Sequence, residues 1–363
     1  MLSLKPKDGS VISVPKRAKY IDGVAAKDVK MSSVKKAFMI GLIPGVEENY
    51  TNIKTLLTSV DLSGLPVTFS CDLKLCLFLV GKMNGACKCP CPFCAGSDPW
   101  DGNLSLLTIG DLKEWYRRYH AALAKDDSAK ALNFNNCVDD NLLQLLYPDD
   151  RLVLDCINVM ELHIMMGVIV RLLQYVQSCF GNLPEEKQRG EAFVKDFLTS
   201  LNITMVLKGR LEGNQCNKIA ENSAQLLYLA SQIPEEDISD NIQGVACVLE
   251  AFNAVKHSCF GMEIRGDYRE EIARFSTLYR RLPGITVPPK IHILESHIVG
   301  FLERKKAEGF PEHLGLAYWG EQVFEQMHHD FKLQYQRWAV GEDHEDYATA
   351  MFNAFLDYNS SHI

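Results

Sequence analysis

The sequence predicts an α+β protein that is mainly helical. Two observations carry this. A short, unbroken apolar run at 37–43, AFMIGLI, ends at Pro44-Gly45, as a buried strand does. Beyond residue 110 the apolar residues recur almost throughout at helical spacing, without the alternation of further strands. At 363 residues the chain has room for one large domain or two ordinary ones, and 47% apolar and 23% charged residues suit a protein with a sizeable core.

The elements follow in order. Lys5 to Lys36 is mixed and basic and reads as loop or the frayed end of a hairpin. After the strand at Ala37–Ile43, Ile53, Leu56, Leu57 and Val60 place a helix over Glu48–Val60. Val67–Ser70 is strand-like. Asp72 closes it, and Leu73–Val80 reads as a short buried helix. A cysteine knuckle follows: Cys87, Cys89, Cys91 and Cys94. Amphipathic spacing then predicts a helix at Asp111–Lys125, and Met160–Phe180 is apolar on more than one face, as a buried helix is. Pro184, followed by Glu185 and Glu186, starts another. Further helices are expected at Cys216–Gln232, Glu236–Cys259, Tyr268–Leu282, Lys290–Ala307, Trp319–Val340 and His344–Asn359. Pro283-Gly284 and Pro288-Pro289 mark a boundary near residue 285, which gives three regions: 1–100, 101–285 and 286–363.

No apolar run is long enough to span a bilayer, and the first residues lack a signal-peptide core. The expected location is therefore the nucleus or cytoplasm, not outside the cell. There, twelve cysteines point to reduced thiols and metal sites rather than disulfides. A net charge of −8 argues against a strongly basic, freestanding nucleic-acid binder but leaves room for a local basic groove.

Cys91-Pro-Phe-Cys94 is a CxxC, a spacing that lets two thiolates bind one zinc from a tight turn. Its partners are either the neighbouring Cys87 and Cys89, in a cramped ring, or His292 and His297. Five residues apart, those histidines miss the one-face helical spacing, so one of them belongs to the first turn or the approach to it. His163, His257, His328 and His329 read as ordinary core or surface histidines. Asp72 either caps the helix after it or serves as a magnesium ligand at a strand end. Glu321 and Glu325 lie four apart on one helical face, an arrangement usually found on a solvated surface.

Taken in order, a strand-end Asp, a CxxC, a long helical stretch, two histidines five apart and a Glu-bearing helix resemble the catalytic core of the V(D)J recombinase and Transib-type transposases. Still closer is the likeness to transposon-derived proteins of invertebrates that carry similar blocks, the last appearing here as Tyr358-Asn359-Ser360-Ser361-His362. The resemblance implies an RNase H-like nuclease core with a large helical insertion. It implies Cys91, Cys94, His292 and His297 as ligands of a structural zinc. Asp72 would match the second catalytic Asp, and Glu325, with Glu321 as the alternative, the catalytic Glu; magnesium or manganese would serve them. Asn214 and Lys218, in Glu212-Gly-Asn-Gln-Cys-Asn-Lys218, match a segment that lies near DNA.

One departure bears on activity. The family's first Asp stands on a strand ahead of the one placed at Ala37–Ile43. Here only Asp22, in a loop setting, is near. The expectation is an N-terminally truncated core that binds DNA but does not cut it alone. The alternatives are a host-adopted protein-interaction module and an active nuclease using Asp22. DNA and a second copy of the chain are the partners this reading puts forward.

Overall fold

The computed structural model describes residues 2–3, 20–21, 24–25, 48–60, 62, 67–83, 87–97, 104–126, 128–204, 211–320, 331, 333, 336, 338, 340–341 and 344–360. The strand expected at 37–43, all of the basic stretch Lys5–Lys36 except residues 20–21 and 24–25, Asp22, Glu321 and Glu325 lie outside them. The described chain is mainly helical, as expected. It forms two compact units. One comprises Met1–Met160, Glu303–Pro311 and Ala317–Ile363, the other Glu161–Leu302 and Glu312–Leu316.

In the first unit the strands are short. β1 (Leu2–Ser3) pairs antiparallel with β4 (Thr68–Phe69), and β2 (Tyr20–Ile21) with β3 (Val24–Ala25). Helix α1 (Tyr50–Ser59) begins at Asn49, whose side chain accepts the Asn52 amide. Beyond β4 the chain is tied down by buried polar groups. Asn158 N–H donates to the Phe69 carbonyl at 2.7 Å, and Asn158 Nδ2 donates to Ser70 Oγ at 2.8 Å. Ser70 Oγ in turn donates to the Trp319 carbonyl at 2.6 Å. Helix α2 (Leu73–Leu79) follows at once and buries Cys76, Leu77 and Leu79. Helix α3 (Ile109–Leu123) opens on a capping box, Thr108 with Asp111. It buries only Ile109 and Leu112, leaving Trp115 and Tyr116 half-covered.

The end of this unit's helical chain is fastened by charge. Asp155, in the short helix α4 (Val153–Cys156), is 3% exposed and takes a two-pronged bond from Arg304, the second prong being 2.6 Å. Arg151 reaches Glu308 at 2.6 Å, and Lys305 reaches the same carboxylate at 3.2 Å. Desolvation of such groups is repaid only when every charge finds a partner, and here each does. The last helix, α13 (Tyr347–Ser360), buries Ala350, Ala354 and Tyr358 at helical spacing.

The second unit is built on α5 (Glu161–Ser178). Its buried residues, Glu161, Ile164, Met165, Val168, Ile169, Leu172, Leu173, Tyr175 and Val176, follow the three-and-four spacing of one stripe. Val170 on the far side is exposed, so the helix is narrower in its burial than its composition suggested. Around it pack α6 (Pro184–Ser200), α7 (Gly213–Ala220), α9 (Glu236–Val255) and α11 (Pro289–Ser296). Helices α8 (Ser223–Ala230) and α10 (Tyr268–Arg280) cover α9, with Phe252 and Phe275 in ring contact at 5.7 Å.

Three of the expected long helices are broken. The stretch at Cys216–Gln232 divides at Glu221-Asn222, where Asn222 leaves helical geometry and its amide bonds back to the Lys218 carbonyl. α9 ends in a single π turn over Lys256–Phe260, which lets the Lys256 ammonium reach Glu221. The stretch at Lys290–Ala307 breaks at His297, before α12 (Ile298–Ala307).

Helix α6 packs closely on α5 at Gly190, where an added Cβ would lie 2.5 Å from the Gln177 carbonyl oxygen. Gly190→Ala gains about 1 kcal/mol of helix propensity but meets backbone that cannot swing aside. The expected outcome is net destabilisation of about 1–2 kcal/mol, read as a lower denaturant midpoint with unchanged slope. Wild-type stability would remove the close approach.

Candidate metal centre

Helix α2 delivers the first half of the site. Asp72 is its N-cap: the carboxylate accepts the Leu75 amide at 2.8 Å. The helix ends in a Schellman motif, with Gly81 in the left-handed region at φ 71°. Gly81 N–H bonds to Phe78 and Lys82 N–H to Leu77. A side chain at Gly81 would also strike the Asp139 carbonyl, 2.2 Å from where its Cβ would be. The turn therefore requires glycine and sends Lys82 toward the knuckle.

The knuckle is held on both sides. Leu107 N–H donates to the Phe93 carbonyl at 2.9 Å, and Ala95 N–H to Ser105 at 3.0 Å. On the other side, Lys82 pairs with Cys137, and Cys89 N–H donates to the Asn136 side chain at 3.2 Å. Cys91 and Cys94 are fully buried. Burial pushes the Cys91 thiol well above its ordinary range, and the neighbouring Cys94 thiol pushes it further; Lys82 and the Phe93 N–H pull the other way. That N–H donates to Cys91 Sγ at 3.4 Å, a contact that favours a thiolate.

Helix α11 delivers the other half. Pro289 occupies its first position, and Glu295 anchors it to α10 through Ser276 at 2.8 Å and Arg280 at 2.6 Å. His292 closes the first turn. His297 is the C-cap, bonded to Ile293, and its own carbonyl accepts the Phe301 amide of α12. This break resolves the awkward spacing of five, because an unbroken helix would send the two rings to different faces. The rings stand 5.0 Å apart at 78°, and their Nε2 atoms are 3.2 Å apart. His292 Nδ1 faces Ser296 Oγ at 3.5 Å, which leaves Nε2 as the ligand atom.

The four residues form one group. A sulfur from each of Cys91 and Cys94 and a ring nitrogen from each of His292 and His297 all lie within 4.8 Å of one another, and all four side chains are buried. With Zn–N bonds of roughly 2.05 Å, an edge of a zinc tetrahedron measures about 3.3 Å, close to the observed imidazole spacing. Two sulfurs and two nitrogens at this separation can hold a zinc ion. Among the described residues this is the one such group.

The remaining candidates are placed less fully. Asp72 is engaged as a helix cap. Asn214 and Lys218 lie four apart on an exposed face of α7, with Asn214 Oδ1 accepting the Gln215 amide. Glu321 and Glu325 fall outside the described residues, yet the segment entering them is fixed: Trp319, two residues before Glu321, is bonded to Ser70, two residues before Asp72. Sequence reasoning missed Lys82, Ser70 and Asn158. Only the Gly81-Lys82 pair after an apolar helix carried a readable signal, that of a helix end.

The cap role of Asp72 is separable from any metal role. Asp72→Ala should lower stability by about 1 kcal/mol, and Asp72→Ser, which also caps, should restore most of that in thermal unfolding. A search against protein-family models finds no match, and neither does a search of curated proteins.

Proposed function

We propose that this chain derives from a DDE-type transposase, that it holds a structural zinc through Cys91, Cys94, His292 and His297, and that it binds DNA without cutting it by itself. The observation that carries the reading is the meeting of two ligand pairs two hundred residues apart, which the resemblance requires and simple composition does not. The hydrogen bond between Ser70 and Trp319 adds to it, because it draws the approaches to Asp72 and to Glu321 and Glu325 together.

In this reading an RNase H-like core presents Asp72 and Glu325, or Glu321, to magnesium or manganese. Two-metal phosphodiester cleavage needs several converging carboxylates, and Asp72 spends one oxygen on its helix cap. With Asp22 as the only other acid put forward, metal affinity and rate are both low. DNA contact falls to the exposed Asn214–Lys218 face, and the protein acts in the nucleus or the cytoplasm.

A second reading, a protein-interaction module, draws on the apolar residues exposed near the C-terminus: Trp338, Phe352 and Leu356.

Three measurements test these statements. Metal analysis of the purified protein should find about one zinc per chain, lost in the His292→Ala, His297→Ala double variant; a zinc-free wild type overturns the structural zinc. Binding to duplex DNA in a gel shift should weaken steeply as salt rises from 50 to 200 mM, by roughly tenfold or more for a few phosphate contacts. Absence of any salt-dependent shift favours the protein-interaction reading. Plasmid incubated with manganese should stay supercoiled, and nicking that Asp72→Ala abolishes would establish an active nuclease instead.

A further inference from the structure

Lys82 is 2% exposed, and its ammonium is not balanced by a carboxylate among the described residues. Nζ donates to the Cys91 carbonyl at 2.6 Å and reaches the Cys89 carbonyl at 3.5 Å. Burying an ammonium is expensive, and two carbonyls return only part of that. The fold does not need the charge to end α2, because the Schellman bonds there are all backbone. An apolar side chain of the same length would fill the space at lower cost. Besides its pull on the Cys91 thiol, the ammonium grips the two carbonyls that flank Pro90, on the turn that carries the first thiol of the CxxC.

We propose that Lys82 is a positioning residue for the metal centre: its ammonium clamps the Cys89–Cys91 turn so that Cys91 Sγ is aimed before the ion arrives. The inference rests on the zinc reading above. Fixing a backbone turn next to a ligand has the same effect as the outer-shell partners of metal sites, whose removal weakens binding by about 10- to 100-fold. Lys82 acts through hydrogen bonds to carbonyls, so a neutral donor of similar reach should serve nearly as well. A purely electrostatic role would not survive that exchange.

The test is competition for zinc between the full-length protein and a chromogenic chelator, with the cobalt-loaded protein's visible absorbance as a second readout. Lys82→Met should bind zinc at least tenfold more weakly and show an altered cobalt spectrum. Lys82→Gln, which keeps N–H donors and drops the charge, should recover most of the affinity and the wild-type spectrum. Circular dichroism with excess zinc checks that each variant is folded. Wild-type affinity in Lys82→Met overturns the proposal, and so does a folded Lys82→Gln as weak as Lys82→Met. If Lys82→Met does not fold, Lys82→Gln decides alone: near-wild-type affinity supports the clamp, and a tenfold loss overturns it. A wild-type protein that takes up no zinc in the same titration marks a failure of the zinc reading itself.

Discussion

Two thiols and two imidazoles, all shielded from water, must be satisfied by one another or by something they jointly hold. Polar side chains buried without partners each cost on the order of 1–3 kcal/mol. The fold spends several devices on bringing these four groups into place: a glycine-ended helix, a clamped turn, a proline-started helix and a helix break at His297. None of these is needed for an apolar core. They make sense together as the scaffolding of a ligand set, and the 3.2 Å spacing of the imidazole nitrogens matches what a tetrahedral ion asks for.

The same short stretch serves two ends. Asp72 starts α2, and Gly81 ends it, with seven helical residues between. The strand before it is fastened through Ser70 to residues 158 and 319, and the turn after it leads into the CxxC. The acid, the chelating turn and the approach to the late glutamates therefore depend on one rigid segment. A substitution that frays α2 would disturb all three, which is why loss of function in this stretch says little about chemistry unless the cap is preserved.

The sequence was most readable where local rules decide. Pro184, the amphipathic spacing of 111–125, and the periodicity of α5 and α10 mark helices that the structure contains within a few residues. The four residues that could hold zinc were readable in a different way: CxxC and the two histidines are each weak signals, and only their order along the chain joined them. Breaks were the least readable. Nothing local distinguishes His297 from a mid-helix residue. The helix stops there and the ring stands beside His292, a placement that belongs to tertiary structure. Buried polar anchors such as Lys82 and Asn158 were invisible for a related reason, since a lysine or an asparagine in a sequence reads as surface until its neighbours are known.

The composition of the ligand set also limits what the ion could do. Catalytic zinc sites use three protein ligands and keep a fourth position open for water or substrate. Here four protein atoms are available at buried positions, so a tetrahedral ion is fully occupied by the chain. Such an ion cannot lower the pKa of a bound water or polarise a phosphate. Any hydrolytic chemistry would then have to come from side chains other than these four. The metal centre and the candidate acids are thus separate in role, joined only by the ten residues of chain from Leu73 to Lys82 that position both.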